Sequence, residues 1–176
     1  SSYGISGNLL FWIKAFLLNR TQSVRVGSTM SHSCDVTSGV PQGSVLGPLL
    51  FNLFINDIAD FFSNSTKIKM FADDLKLYTE LSTDLNSQFQ IHLDHISLWA
   101  TTWQLGISYS KCHILELGSR SIPISYNLNN VVISNSESIT DLGVIIDPNL
   151  KFKSHVQDIV NRALLRSSHI FRCFLS

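Results

Sequence analysis

Two neighbouring aspartates, Asp73 and Asp74, are the residues of this 176-residue sequence best suited to chemistry. They lie between two strand-like runs, 67–71 and 75–78, so the sequence predicts a hairpin with both acids at its tip. Adjacent carboxylates in an apolar setting repel each other, and a fold that keeps them generally pairs them with a cation. Mg²⁺ prefers oxygen ligands, and two such ions about 3.5 to 4 Å apart suit phosphoryl transfer. Taken alone, an Asp-Asp pair is more often a solvated turn.

The elements before and after this hairpin are predicted from glycine, proline and apolar spacing. Segment 38–44 predicts a tight loop before an apolar helix over 45–62, where Pro48 is tolerated in the first turn. After the hairpin, Thr83 and Asp84 are the predicted caps of a long amphipathic helix. Its apolar positions are Leu85, Phe89, Leu93, Ile96, Trp99 and Trp103.

The two ends of the chain give weaker patterns. A helix with one buried face is predicted over 7–19, then a half-buried strand over 20–28 and a return strand over 34–40. Short strands are predicted at 112–117, 131–133 and 142–146, before a last amphipathic helix. The predicted buried positions of the first helix are Leu9, Leu10, Ile13, Phe16 and Leu17, and those of the last are Val156, Ile159, Val160, Ala163, Leu164 and Ile170.

The amino-acid composition indicates a globular protein but does not indicate its function. A hydrophobic content of 44% is ample for a buried core, and thirteen basic residues balance thirteen acidic ones. Net charge therefore neither supports nor excludes a nucleic-acid partner. The three cysteines are scattered, which favours a reducing intracellular setting, and no apolar run reaches the roughly 18 to 20 residues of a membrane helix.

Several motifs, in this order, resemble reverse transcriptases of LINE-type, non-LTR retrotransposons across nearly the whole chain. They are Ser38-Gly39-Val40-Pro41-Gln42-Gly43-Ser44-Val45-Leu46-Gly47-Pro48, Phe71-Ala72-Asp73-Asp74, Trp103-Gln104-Leu105, Lys111-Cys112, and Leu142-Gly143-Val144 with Asp147 and His155. The resemblance implies an α+β polymerase palm, in which an antiparallel sheet with the catalytic hairpin packs on helices and leads into a helical thumb. Residues 1–150 would be a partial palm, with a fingers-proximal helix and hairpin over 1–40, and residues 151–176 the start of the thumb.

The same resemblance implies roles for individual residues. Asp73 would be the firmer ligand and Asp74 the supporting ligand of two Mg²⁺ ions, for which Mn²⁺ is a possible substitute. Lys111 would be a catalytic lysine near the pyrophosphate. The residues implied in template and nucleotide binding are Pro41, Gln42, Gly43, Phe71 and Ala72.

The implied activity is RNA-directed DNA synthesis with an RNA template, a DNA primer and dNTPs. The parent protein is expected to carry an endonuclease domain and to occur in nucleus and cytoplasm as a ribonucleoprotein, without a membrane association. In the family a first catalytic aspartate precedes the position of Tyr3, so the chain is expected to begin too late to contain it and to be inactive alone. Ser108-Tyr109 stands where the family usually has Asn-Pro, and Leu75 where threonine is frequent.

Two other functions stay open at this point. An inactive relic or a nucleic-acid-binding module would keep the fold without catalysis. A palm-like nucleotidyl cyclase or a DNA-templated polymerase would also use paired acids, although the Pro41-Gln42-Gly43 loop counts against it.

Some further residues have a structural and a functional interpretation. His92 and His95 lack a third metal ligand, so a helix-surface position is expected for both. The tryptophans, Trp12, Trp99 and Trp103, fit core packing better than base stacking. Five basic residues could either contact the phosphate backbone of a nucleic acid or be solvated: Arg20, Arg25, Lys67, Lys69 and Lys76.

Overall fold

The fold is seen in a computed structural model that describes residues 3–62, 65–80, 82–118 and 125–174. The helices are α1 (Gly7–Leu17), α2 (Gly47–Ile55), α3 (Thr83–Thr102) and α4 (Lys153–Phe174), with 3₁₀ helices over Asn56–Phe61 and Tyr109–Lys111. The strands are β1 (Thr21–Gln22), β2 (Arg25–Val26), β3 (Thr29–Met30), β4 (Cys34–Asp35), β5 (Thr66–Phe71), β6 (Asp74–Thr79), β7 (His113–Ile114), β8 (Asn127–Leu128), β9 (Val131–Val132), β10 (Ser134–Asn135), β11 (Ile139–Asp141) and β12 (Val144–Ile146). Helices and strands are mixed along the chain, which confirms the α+β class.

The strands of the described ranges form two-stranded sheets instead of one wide antiparallel sheet. The pairs are β1-β4, β2-β3, β5-β6, β7-β10, β8-β9 and β11-β12, and β7 with β10 is parallel. Apart from β5 and β6, these strands have only two or three residues each. Strands this short offer no extended alternating apolar face, and each of them pairs with a single partner strand.

The chain divides into two compact units, and the acidic hairpin contributes to both. The first unit contains Ser1–Asp60 and Lys69–Lys76, and the second contains Phe61–Ile68 and Leu77–Ser176. In the first unit, Pro48 lies in the first turn of α2, as predicted, and Ile55 and Ile58 are buried. The predicted helix over 45–62 is thus an α-helix that continues as a 3₁₀ helix to Phe61.

Helix α3 is the centre of the second unit. Its buried residues Leu93, Ile96 and Trp99 recur at helical spacing, as predicted. Strand β8 packs against it, and the ring of Phe89 meets that of Tyr126 edge-on, with centroids 4.8 Å apart. Burial, and then the charge of Glu116, raise the pKa of the Tyr126 phenol.

The predicted cap of α3 was wrong by one residue. Ser82 is the N-cap, and its Oγ accepts a hydrogen bond from the amide N of Leu85, 3.3 Å away. Thr83 is already the first residue of the helix. Serine, threonine and aspartate are all good N-cap residues, so residue type alone does not distinguish Ser82 from Thr83 or Asp84.

The terminal helices form as predicted, but their apolar faces are not buried. Neither α1 nor α4 has a buried residue within the described part of the chain. Leu9 and Leu10 are exposed, and so are the apolar positions predicted for α4. Periodicity predicts a helix face, but it does not predict what packs against that face.

The tryptophans also differ from one another. Trp99 is buried, as predicted, whereas Trp12 and Trp103 are about half exposed. Trp12 stacks on Phe16 one turn further along α1, with ring centroids 6.1 Å apart.

Among the helices of the described ranges, none is long and apolar enough to cross a bilayer.

Candidate functional site

The acidic hairpin forms where the sequence predicts it, but Asp74 belongs to the return strand and not to the predicted three-residue turn over 72–74. Strand β5 ends at Phe71, Ala72 and Asp73 make the turn, and Asp74 is the first residue of β6. Ala72 has a φ of +50°, in the left-handed region that an alanine rarely adopts. A positive φ at the first of two central residues is typical of a type II′ hairpin turn. The turn therefore presents two successive carboxylates at the hairpin tip.

Both carboxylates lie in solvent, not in an apolar setting. Asp73, Asp74 and Ala72 are exposed, and Phe71 is 62% exposed. In the described ranges no three His, Cys, Asp or Glu side chains group closely enough to hold a metal ion. Mg²⁺ usually keeps several waters and is held by one or two carboxylates together with substrate phosphates. The two exposed carboxylates therefore fit part of such a ligand set.

Helix α3 holds the open end of this hairpin inside the second unit. Thr79 Oγ1 donates to Ser65 O at 3.3 Å, and Ser65 Oγ donates to Gln88 Oε1 at 3.0 Å. Thr66 Oγ1 and His92 Nδ1 share a buried hydrogen bond of 2.9 Å. The hairpin is thereby tied by side chains to two residues one turn apart on α3.

His92 is a buried residue, so the predicted helix-surface position was wrong for it. It is 6% exposed and lies against the ring of Phe62, at a centroid distance of 5.2 Å. Burial, and then the nearby charge of His95, lower the pKa of His92. His95 itself is exposed, as predicted. Nothing in the sequence indicates that His92 is buried, because its partners Phe62 and Thr66 lie outside α3.

The glycine-rich turn at Pro41, Gln42 and Gly43 belongs to the first unit, as do Asp73 and Asp74. Pro41 is half-buried, whereas Gln42 and Gly43 are exposed. Gly43 has a φ of +78°, and a Cβ added to it would meet no atom within 4 Å. Glycine is required there by conformation, while the space in front of it is open.

Two residues that support this turn were missed by the sequence interpretation. Ser44 Oγ donates to Pro41 O at 2.7 Å and accepts from the amide N of Gly47 at 2.9 Å. Gly47 is buried, and a Cβ on it would lie 2.9 Å from Pro41 O. Both residues lie within the motif over 38–48, and the structure shows that they support the turn.

Lys111 lies in the second unit, so the structure does not group it with the aspartates. It is exposed and ends the 3₁₀ helix that follows Ser108. Its amide N donates to Ser108 O at 3.0 Å. Burial raises the pKa of the neighbouring Cys112 thiol.

The motif residues Asp147 and His155 organise the junction between β12 and α4. Asp147 Oδ1 accepts from the amides of Asn149 and Lys151, at 2.9 and 3.3 Å, and its Oδ2 accepts from that of Phe152 at 3.0 Å. His155 Nδ1 accepts from the amide N of Ile145 at 3.4 Å. The junction is thus fixed by two side chains.

Comparison with known proteins shows the family of the chain. Residues 2–146 match the family model described as reverse transcriptase (RNA-dependent DNA polymerase), and the chain belongs to this family. Over 157 residues it is 32% identical to the RNA-directed DNA polymerase from mobile element jockey of Drosophila melanogaster, covering 84% of the chain and 17% of that protein. It is 33% identical to the probable RNA-directed DNA polymerase from transposon X-element of the same fly, covering 85% and 17%. No solved structure matches the chain significantly.

These matches confirm the resemblance to non-LTR retrotransposon reverse transcriptases, and they set its extent. The chain spans about a sixth of the length of these curated relatives, at 17%. The family is one of nucleotidyltransferases, described as RNA-dependent DNA polymerases, and membership of it counts against a palm-like nucleotidyl cyclase.

Proposed function

We propose that this chain supplies the metal-binding hairpin and the template-facing turn of an RNA-directed DNA polymerase from a mobile element. The observation that carries the proposal is the exposed Asp73-Asp74 pair at a tight turn, in the compact unit that also holds Pro41, Gln42 and Gly43. Relatives named as RNA-directed DNA polymerases from jockey and X-element support the reaction.

In this proposal Asp73 and Asp74 hold two Mg²⁺ ions, or Mn²⁺, with Asp73 as the firmer ligand. When bound, the ions would activate the primer hydroxyl and neutralise charge on the pyrophosphate. The turn contributes orientation, because Ala72 and Asp73 are the two residues that reverse the chain and Asp74 begins the return strand. A full set of ligands would include the aspartate that the resemblance places before Tyr3.

The exposed turn would lie against the template strand and the incoming nucleotide. Open space in front of Gly43 lets a base or sugar approach the backbone closely, and Gln42 offers both an amide donor and an acceptor beside it. Pro41 fixes the start of this surface, and Phe71 and Ala72 would add contact at the hairpin.

Lys111 would act near the leaving pyrophosphate, where an ammonium group offsets negative charge or donates a proton. Its exposure leaves it accessible to a substrate. In the same proposal, 1–150 is a partial palm and 151–176 the start of a thumb, which agrees with α4 beginning at Lys153. An endonuclease domain would accompany the polymerase in the longer parent protein.

Primer extension tests the proposal in the longest open reading frame that contains this chain. With an RNA template, a DNA primer, dNTPs and Mg²⁺, Asp73→Asn should lower the rate of addition by about a thousandfold or more, because it removes charge from the metal site. The matched variant Asp158→Asn, on the exposed surface of α4, should keep the normal rate.

An equal rate for Asp73→Asn and the unsubstituted protein would refute the metal assignment. Absence of extension by the unsubstituted long protein, with primer–template binding retained, would instead favour the alternative of an inactive nucleic-acid-binding module.

A further inference from the structure

Arg20 does not lie free on the surface, although its charge is compatible with a phosphate contact. Its Nε donates to Leu17 O, the last residue of α1, at 2.9 Å. Its Nη2 donates to Gly39 O and lies 3.5 Å from Ser38 O. The guanidinium group therefore joins the end of α1 to the segment that enters the glycine-rich turn.

The backbone of Arg20 ties the same two regions together. The amide N of Val36 donates to Arg20 O at 2.8 Å, which continues the antiparallel pairing of β1 with β4. Gly39 has a φ of +77°, and the chain bends at Ser38 and Gly39, beside the carbonyl that the guanidinium holds. Arg20 thus fixes the approach to Pro41 through main chain and side chain.

The opposite side of the turn is held by Ser44. Its hydroxyl bridges Pro41 O and the amide N of Gly47, at 2.7 and 2.9 Å. The carbonyls of Gly39 and Pro41, on either side of Val40, are therefore both fixed by side chains. Gln42 and Gly43 project into solvent beyond these two anchors.

We propose that Arg20 is a positioning residue that presents Gln42 and Gly43 to the template and nucleotide, and that it makes no phosphate contact of its own. This inference rests on the proposed function of the turn. A planar guanidinium donates from two different nitrogens to Leu17 and Gly39, whereas all three donors of a lysine lie on one ammonium nitrogen. The guanidinium donates to the carbonyls of Leu17 and Gly39, and Arg20 as a whole is half-buried.

Hydrogen exchange in the purified 176-residue chain tests the positioning role. The amide N of Ser44 donates to Pro41 O at 3.3 Å, and that of Gly47 donates to Ser44 Oγ. In Arg20→Met and in Arg20→Lys, both amides should exchange about tenfold faster or more, because the segment that leads into Pro41 loses its anchor at Gly39. Amides of α3 should keep their rates. The matched control is Arg25→Met, since Arg25 Nε donates to Gly27 O in a separate turn at 3.0 Å.

Exchange at Ser44 and Gly47 within about twofold of the unsubstituted rate would overturn the proposal, as would an equal acceleration across α3. Full protection in Arg20→Lys would also overturn it, because charge alone would then suffice.

Salt dependence of binding to an RNA–DNA primer–template separates positioning from a phosphate contact. Arg20→Met should weaken binding without changing the slope of log K against log salt concentration. A slope reduced by about one unit would identify a phosphate contact and overturn the proposal. If the unsubstituted chain does not bind the primer–template at all, that result counts against the proposed function only. The hydrogen-exchange rates then decide whether Arg20 positions the turn.

Discussion

Ala72 adopts an unfavourable backbone conformation immediately before the two aspartates. Its φ of +50° lies in the left-handed region, which costs an L-residue other than glycine about 1 to 2 kcal/mol. Such conformations persist where the surrounding structure imposes them, and they cluster at functional sites. The hairpin pairing of β5 with β6 imposes this one, because the turn between the strands has only two residues.

Replacement of Ala72 by glycine should stabilise the chain. Relief of the strain, less the extra flexibility of glycine in the unfolded chain, predicts a gain of about 0.5 kcal/mol in the free energy of unfolding. Thermal unfolding of Ala72→Gly measures it. The control is Ala163→Gly in α4, where glycine should cost about 1 kcal/mol in a regular helix. A loss of stability in both variants would contradict the strain at Ala72.

His92 should make the stability of the chain depend on pH. Its pKa is lowered by burial, so the folded protein favours the neutral ring more than the unfolded chain does. This contribution is present above the ordinary pKa of about 6.5 and is lost as pH falls through the lower folded value. The charge of His95, the titratable group that acts on His92, contributes to the lowered pKa of His92.

Urea unfolding between pH 7.5 and 5 measures this dependence. We expect stability to fall with pH, and to fall less in His92→Asn, whose amide can still bond to Thr66. His169→Gln, on the exposed side of α4, should keep the full dependence. An identical pH profile for His92→Asn and the unsubstituted chain would contradict the assignment.

At the scale of elements, the junction between β12 and α4 depends on Asp147. Its carboxylate accepts three backbone amides within the next five residues. Two of the residues in this junction, Leu150 and Phe152, have φ values of +55° and +53°. These bonds hold the chain in a conformation that it would otherwise leave, and they set the direction in which α4 begins.

Asp147→Ala should therefore release the junction at a cost of about 2 to 3 kcal/mol, because it leaves three amides without their charged acceptor. Faster hydrogen exchange at Asn149, Lys151 and Phe152, together with lower stability in urea, would show it. In Asp158→Ala, removal of an exposed ion pair with Arg162 should cost no more than about 0.5 kcal/mol. Equal effects of the two substitutions would exclude a special role for Asp147.

The elements could be predicted from the sequence to different degrees. Helix α3 was predicted almost to the residue, because twenty positions without glycine or proline carry a regular apolar spacing. The cap at Ser82 was missed, since three neighbouring residues can all accept that bond. Segment 112–117 was predicted as a strand, but only β7, with two residues, forms there. Its pairing with β10 depends on a distant segment that local alternation does not specify.

At the scale of the whole molecule, motifs predicted the family and the position of the acidic hairpin. They did not predict that both carboxylates would be exposed, because exposure depends on neighbours that are distant in sequence. The supports of the turn, Arg20, Ser44 and Gly47, were hidden for the same reason. A side chain that bonds to a backbone carbonyl leaves no spacing pattern in the sequence.

The exposure of the two terminal helices, α1 and α4, also depends on contacts that local sequence patterns do not specify. Leu9 and Leu10 in α1, and Leu164 in α4, occupy apolar faces that lie open in this chain. The chain spans about a sixth of the length of its curated relatives, at 17%. The two helices predicted from this periodicity do form, but periodicity does not specify what packs against the apolar face of either helix.

Metal binding at the hairpin tip can be measured residue by residue through the paramagnetic broadening that Mn²⁺ causes. In the purified chain, the NMR amide signals of 72–75 should broaden at the lowest Mn²⁺ concentration. Asp73→Asn should raise the concentration required by about tenfold or more, a loss of about 1.4 kcal/mol in binding. Asp158→Asn should leave it unchanged. Broadening that begins at other acids, or that ignores Asp73→Asn, would contradict the central claim.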